Sequence, residues 1–233
     1  HGRPGRDPAD IAMRRQPKSH GHRYPGSGGD SVSVIPGEGR VSILYSSQPL
    51  PAPPHRSAYL ARPDVVDIHP AVAITDAHDP SPSVKTLARH IARYGYAAVV
   101  PPGTKRDLAI AVDAFGGDWG EWSDGDRRGV VGIGSGAGIA ATVAGDRNLP
   151  LVLLSPTFEG LTLPVDTPLL ILSADPEAAS SQRTSAGRWV MYRGLGPGFW
   201  NDASPDYSLP AATDALQRLV DFLDRHLGMS VAA

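Results

Sequence analysis

The stretch Arg128-Gly-Val-Val-Gly-Ile-Gly-Ser-Gly-Ala-Gly138 decides how this chain is read. Residues 129–133 (GVVGI) are a short apolar run of the kind that suits a strand buried on both faces. A glycine-rich turn follows at once, and small residues from 138 to 144 open a helix. A strand passing directly into a helix through glycines is a βα unit, and the chain on either side supplies more of them.

Upstream, residues 71–75 (AVAIT) and 96–100 read as further buried strands. Between them Val84, Leu87 and Ile91 recur at helical spacing over 81–93, with Ser81 or Ser83 available as N-cap. Residues 105–115 are expected to be helical, and the Gly/Asp/Trp stretch 116–126 to be loop. Downstream, 151–154, 169–172 and 189–192 are expected strands. Residues 211–227 form an amphipathic helix with Leu216, Leu219, Val220, Leu223 and Leu227 on one face. Residues 31–35 and 40–45 both alternate and flank a Pro-Gly turn, so two leading strands are expected, with 48–54 a Pro-rich connector. Strands alternating with helices imply an α/β fold: a mostly parallel sheet with helices on both faces.

The bulk composition is that of one globular domain. The chain has 233 residues, 41% of them apolar, and a formal net charge of −2 that favours no strongly charged partner. Residues 1–29, rich in Gly, Pro, Arg and His, read as a disordered basic arm before a domain at 30–233. The arm's Arg14, Arg15, Lys18 and Arg23 suit a solvated tail better than a nucleic-acid contact. There is no cysteine, which excludes disulfides, thiol nucleophiles and thiolate metal sites together. Basic charge is nearly all arginine, 19 against 3 lysines, a codon-bias trait rather than a functional one. No apolar run approaches the roughly 20 residues of a membrane span. A soluble protein is expected, cytoplasmic or secreted with a leader removed, since His1 opens the chain and no apolar signal core follows it.

Segments 71–80, 87–100, 128–138 and 167–177 (Thr167-Pro-Leu-Leu-Ile-Leu-Ser-Ala-Asp-Pro-Glu177) together resemble the α/β-hydrolase superfamily. The resemblance is closest to its cutinase and polyester-hydrolase group, which is dienelactone-hydrolase-like, and it covers roughly residues 30–228. It implies the α/β-hydrolase fold and a Ser, acid, His triad in that chain order. In that group the strand–helix turn reads Gly-Val-x-Gly-x-Ser-x-Gly-Gly, with small residues two positions either side of the serine.

Matched on Gly129-Val-Val-Gly132, the pattern places Gly134 at the nucleophile position. The other register makes Ser135 the nucleophile and sets β-branched Ile133 two residues before it, where it would crowd the turn. The resemblance implies a histidine before a Phe in the loop after the last strand, and Gly198 stands there, before Phe199. Of eight histidines only His226 follows the turn, in the last turn of the closing helix, where the helix dipole alone favours it. Glu177 matches the acid position and Asp175 is the alternative; either also reads as an ordinary loop residue. Ala77 and His78 fall on the loop that the resemblance assigns to the oxyanion hole. A Ser135–His78 pair would be a non-standard arrangement. His78 beside Asp76 and Asp79 is turn chemistry rather than a metal site.

Acyl transfer by serine needs a base bonded to the nucleophile and an acid orienting that base. With glycine at two of the three positions, the expectation is a non-catalytic relative with no cofactor, able to hold a small apolar or ester ligand or a partner. Trp122, Phe199 and Trp200 are expected near the carboxyl edge of the sheet, where such folds bind ligands. The alternatives are a serine esterase using Ser135 with an unusual base, and a dinucleotide-binding protein using Gly132-x-Gly134-x-x-Ala137. Against the latter, the next strand ends in Ser155-Pro156, with no acid placed for a ribose.

Overall fold

The computed structural model describes residues 41–176 and 187–228. Eight strands form one sheet in the order β1-β2-β4-β3-β5-β6-β7-β8. They are β1 (Ile43–Pro49), β2 (Ser57–Pro63), β3 (His69–Thr75), β4 (Ala97–Val100), β5 (Ser123–Ile133), β6 (Leu151–Leu154), β7 (Leu169–Ser173) and β8 (Gly187–Met191). β2 runs antiparallel to β1 and β4; every later pairing is parallel. The helices are α1 (Pro82–Arg93), α2 (Lys105–Ala114), α3 (Ala137–Arg147) and α4 (Leu209–Leu227). α1 and α4 cover one face, burying Val84, Leu87, Ile91, Leu219 and Leu223 against Val72, Ile74, Val131 and Val152. α2 and α3 cover the other, with Leu108, Val112, Ala140 and Ala144 against Ala73, Val130 and Leu153.

Local chemistry sets the helix ends. Ser81 caps α1 by accepting the Val84 amide, with Pro82 in the first turn, where its missing N–H costs nothing. Thr104 caps α2 by accepting the Asp107 amide. α3 ends on Asn148 and α4 on Gly228, both in the left-handed region that stops a helix. The Tyr96 hydroxyl donates to Asp224 and the Tyr192 hydroxyl to Asp214, fastening α4 to the sheet side. Burial, then the Asp224 bond, pushes the Tyr96 phenol far above its ordinary range.

The architecture is the expected α/β one, with one strand not anticipated from the sequence and two local expectations that need correction. Residues 57–63 are a strand, β2, and β1 runs to Pro49, into what reads as a Pro-rich connector. The segment 116–126 is not all loop, because β5 begins at Ser123. Its polar opening pairs with β3 through backbone alone, His69 beside Ser123 and Pro70 beside Asp124, before the register shifts to Ala71 beside Arg128. The expected strand 31–35 and the arm 1–29 lie outside the described residues. Among the described residues no helix is long and apolar enough to cross a membrane.

Candidate functional site

The central strand β5 delivers the turn. Its last residues, Gly129 to Ile133, are buried, and Ile133 is extended at φ −121°. Gly134 then takes φ +52° and opens a single 3-10 turn, Gly134–Gly136, that runs into α3. The three glycines are required for different reasons. A Cβ on Gly132 would lie 2.5 Å from Ala140 Cβ and 3.0 Å from Ala137 Cα, so the strand can touch α3 only without one. A Cβ on Gly136 would lie 2.5 Å from the Thr75 carbonyl oxygen and 2.7 Å from Asp76 Cα, so the helix start leans on the end of β3. At Gly134 a Cβ would meet nothing within 4 Å. The apex therefore has room for a side chain and a backbone conformation that L-residues rarely adopt.

Ser135 is exposed on the first turn, and its hydroxyl donates to the Asp76 carbonyl at 3.2 Å. The exposed His78 ring turns to the same carbonyl, Nδ1 to O at 2.9 Å, with Nδ1–H donating because a carbonyl can only accept. The structure thus brings Ser135 and His78 to one acceptor instead of to each other. The backbone amides of their loop are engaged locally: Ala77, at φ +64°, donates to Thr75 Oγ1 at 3.3 Å, and His78 donates to Asp76 Oδ1 at 3.2 Å. A Cβ on Gly103 would overlap the Ala77–His78 peptide, so the loop after β4 presses on it from the side.

The loop after β8 carries Gly198. A Cβ there would overlap the Ser204 hydroxyl and lie 2.6 Å from Ser204 Cβ and 3.4 Å from Asp206 Oδ2. The Ser204 hydroxyl in turn accepts the Asp206 amide at 3.2 Å. The space into which a side chain at 198 would project is therefore filled. Asp175 stands exposed two residues past β7, its amide donating to Ser173 Oγ at 3.0 Å. Glu177 lies outside the described residues. The His226 ring packs at a tilt against Phe222 near the end of α4. Leu223 and Leu227, on either side of it, reach Gly129. That is four residues back along β5 from Ile133, some 13 Å at a strand's rise. His226 therefore sits toward the opposite edge from the turn.

Of the loop aromatics, Phe199 is fully buried and stacks on Tyr192, while Trp200 is half-buried against the same cluster. Trp122 corrects an expectation: it directly precedes β5 and its carbonyl accepts the His69 amide at 3.1 Å, which places it at the amino edge. There it stacks on Trp119, far from the turn. Both findings make these aromatics parts of the core cover. Among the described residues no group of three His, Cys, Asp or Glu side chains could hold a metal ion.

Sequence reading missed two features at the carboxyl edge. Ser155, just past β6 and beside the turn, sits at φ +46°, and its buried hydroxyl meets no partner among the described residues. Nearby, the Thr157 amide donates to the Gly134 carbonyl at 2.9 Å. The second feature is Arg56, which bonds Asp107 at 2.8 Å and Asp79 at 3.1 Å, tying the β1–β2 loop to the start of α2 and to the loop carrying His78. Asp107 is only 4% exposed and also accepts the Thr104 hydroxyl at 2.6 Å. Arg56→Leu is expected to lower stability by about 2–4 kcal/mol, mostly by stranding a buried carboxylate. Urea unfolding checks this, and a cost below about 0.5 kcal/mol would mean that water replaces the guanidinium.

This architecture is the α/β-hydrolase fold, and 530 solved chains match it, so the fold leaves the chemistry to the site. One is a structure solved as a candidate dienelactone hydrolase from Klebsiella pneumoniae subsp. pneumoniae MGH 78578. It is 18% identical to this chain, with a TM-score of 0.65, covering 79% of this chain and 99% of its own. No protein-family model matches the chain, and no curated protein matches it.

Proposed function

We propose that this chain is a non-catalytic α/β-hydrolase-fold protein whose former catalytic turn holds Gly134 at the nucleophile position and Gly198 at the base position. The observation that carries this reading is the apex itself: the positive φ and the open side-chain space belong to Gly134, while Ser135 is one residue on and bonded to a backbone carbonyl. A nucleophile needs its proton taken by a base within hydrogen-bond reach, and the Ser135 proton is held by the Asp76 carbonyl. The filled space behind Gly198 supports the same conclusion from an independent segment. The role proposed for the scaffold is to hold a small apolar or ester ligand, or a partner, without turnover.

The esterase reading would need Ser135 to leave Asp76 and His78 to swing toward it. The dinucleotide reading would need a helix start open to a pyrophosphate, and Gly136 is packed on Thr75 and Asp76 instead. Intact-mass analysis after fluorophosphonate treatment, beside hydrolysis of a p-nitrophenyl ester, tests the proposal. The expected result is no adduct and no turnover above a denatured control, with Ser135→Ala indistinguishable from the parent. A stoichiometric adduct on Ser135, with turnover lost in Ser135→Ala, would make the protein a serine esterase.

A further inference from the structure

At the opposite edge of the sheet His69 opens β3 with its side chain enclosed and 7% of the residue exposed. Its Nε2 is buried and meets no hydrogen-bond partner among the described residues. The ring's remaining polar contact is with the backbone of Val65, in the loop that leads into β3, while the His69 amide donates to the Trp122 carbonyl. A neutral imidazole tolerates this arrangement, because an unpaired ring nitrogen is a modest cost. An imidazolium does not, because it would carry a second N–H and a full charge into a space with no acceptor.

The charges around the ring come from three elements. Asp67 of the loop favours protonation, whereas Arg62 of β2 and Arg127 of β5 oppose it. Arg127 is itself paired with Asp124 at 2.7 Å, and Asp67 Oδ1 accepts the Ile68 amide at 2.7 Å, so both of these carboxylates already have partners. Burial is the larger influence and holds the ring below its ordinary 6.5.

The loop facing the ring has little else to hold it. All five residues from Asp64 to Ile68 are exposed, with Val65, Val66 and Ile68 at 51%, 107% and 50%. Asp64 bonds the Ser42 carbonyl of the strand β1 approach, and the Asp67 amide bonds back to Val65 within the loop. We propose that His69 is an acid-sensitive latch: protonation drives its ring out of the sheet edge, freeing the apolar loop 64–68 and disturbing the Trp119–Trp122 stack. The latch acts away from the candidate site and does not rest on the functional reading above.

The linkage has a definite sign. A histidine held neutral in the fold contributes stability that is present above its unfolded pKa and lost as pH falls below it. The change is therefore expected on the acid side of 6.5. The test follows the His69 ring and the Trp122 indole by NMR in the full chain from about pH 8 to about pH 5. The expected result is a His69 midpoint below 6.5, with Trp122 shifting at the same midpoint. In His69→Phe the Trp122 transition disappears, and His226→Asn, which removes a second histidine held below its ordinary range, leaves it in place. His69→Gln, which keeps a polar group, serves if the Phe variant does not fold. A His69 midpoint at or above 6.5 overturns the proposal, as does a Trp122 signal that stays fixed while His69 titrates, or one that still moves in the His69 variants.

Discussion

Gly132→Ala is expected to cost about 3 kcal/mol or more, against about 1–2 kcal/mol for Gly134→Ala two residues away. Adding the same methyl group tests two different constraints. At Gly132 the backbone is ordinary extended strand and the obstacle is matter: Ala140 Cβ at 2.5 Å, Ala137 Cα at 3.0 Å and Leu153 Cδ2 at 3.0 Å. The Leu153 methyl can turn away, but the Ala137 Cα is part of α3, so relief requires the helix to lift from the sheet. α3 has few large side chains with which to make good that loss, its buried face being Ala137, Ala140, Ala141, Val143 and Ala144. At Gly134 the obstacle is conformation alone, φ +52° with nothing within 4 Å of the new carbon. Urea midpoints for the two variants, with a shared slope, measure the difference. Equal costs, or a reversed order, would mean that the turn relaxes when loaded and that the close approach of α3 is not a fixed feature. Domains of this kind have only about 5–15 kcal/mol to lose, so the Gly132 variant also tests how near the fold lies to its limit.

The turn was legible because its constraints are local. Two glycines spaced two residues from a third, between a buried strand and a run of small residues, leave one geometry that keeps β-branched Ile133 in the strand, and Ile133 is there. The buried strands and the amphipathic α4 were legible for the same reason, since apolar periodicity records burial directly. β2 was not. Its sequence, SAYLARP, fills several core positions with alanine and ends in proline, and such residues carry little strand signal even though Ala58, Leu60 and Ala61 are buried. The polar start of β5 was hidden more deeply, because Ser123 and Asp124 join the sheet by backbone pairing with His69 and Pro70, and no side chain announces that. The Arg56 bonds were beyond reach for another reason. Its partners lie 23 and 51 positions away, and which carboxylates meet an arginine is a property of the finished fold. The position of Trp122 was misjudged through a single shifted boundary: once β5 is seen to start at Ser123, the tryptophan moves from one edge of the sheet to the other.

Placing side chains at the two glycine positions is expected to fail as catalysis and to injure the fold. In the double variant Gly134→Ser/Gly198→His, the first change is tolerable, because its hydroxyl enters open space and pays only for positive φ. The second is not tolerable, because even the first carbon of the imidazole side chain overlaps Ser204, and Asp206 Oδ2 stands 3.4 Å away. Ser204 cannot retreat freely: its hydroxyl accepts the Asp206 amide, its own amide bonds the Asn201 carbonyl, and the Tyr207 amide bonds its carbonyl. The expected result is no fluorophosphonate adduct, no ester turnover and a stability loss of about 2–3 kcal/mol, typical of overpacking. Adding Ser204→Gly removes the obstructing atoms and is expected to recover roughly 1 kcal/mol or more of that loss. The comparison separates two accounts of the glycine at 198. If the two glycines are all that keeps the turn from catalysis, the double variant keeps its stability and labels on the new serine. If the loop itself fills the space a side chain at 198 would need, stability falls first and returns only when Ser204 is trimmed, and it is this second outcome that the packing of Gly198 against Ser204 requires.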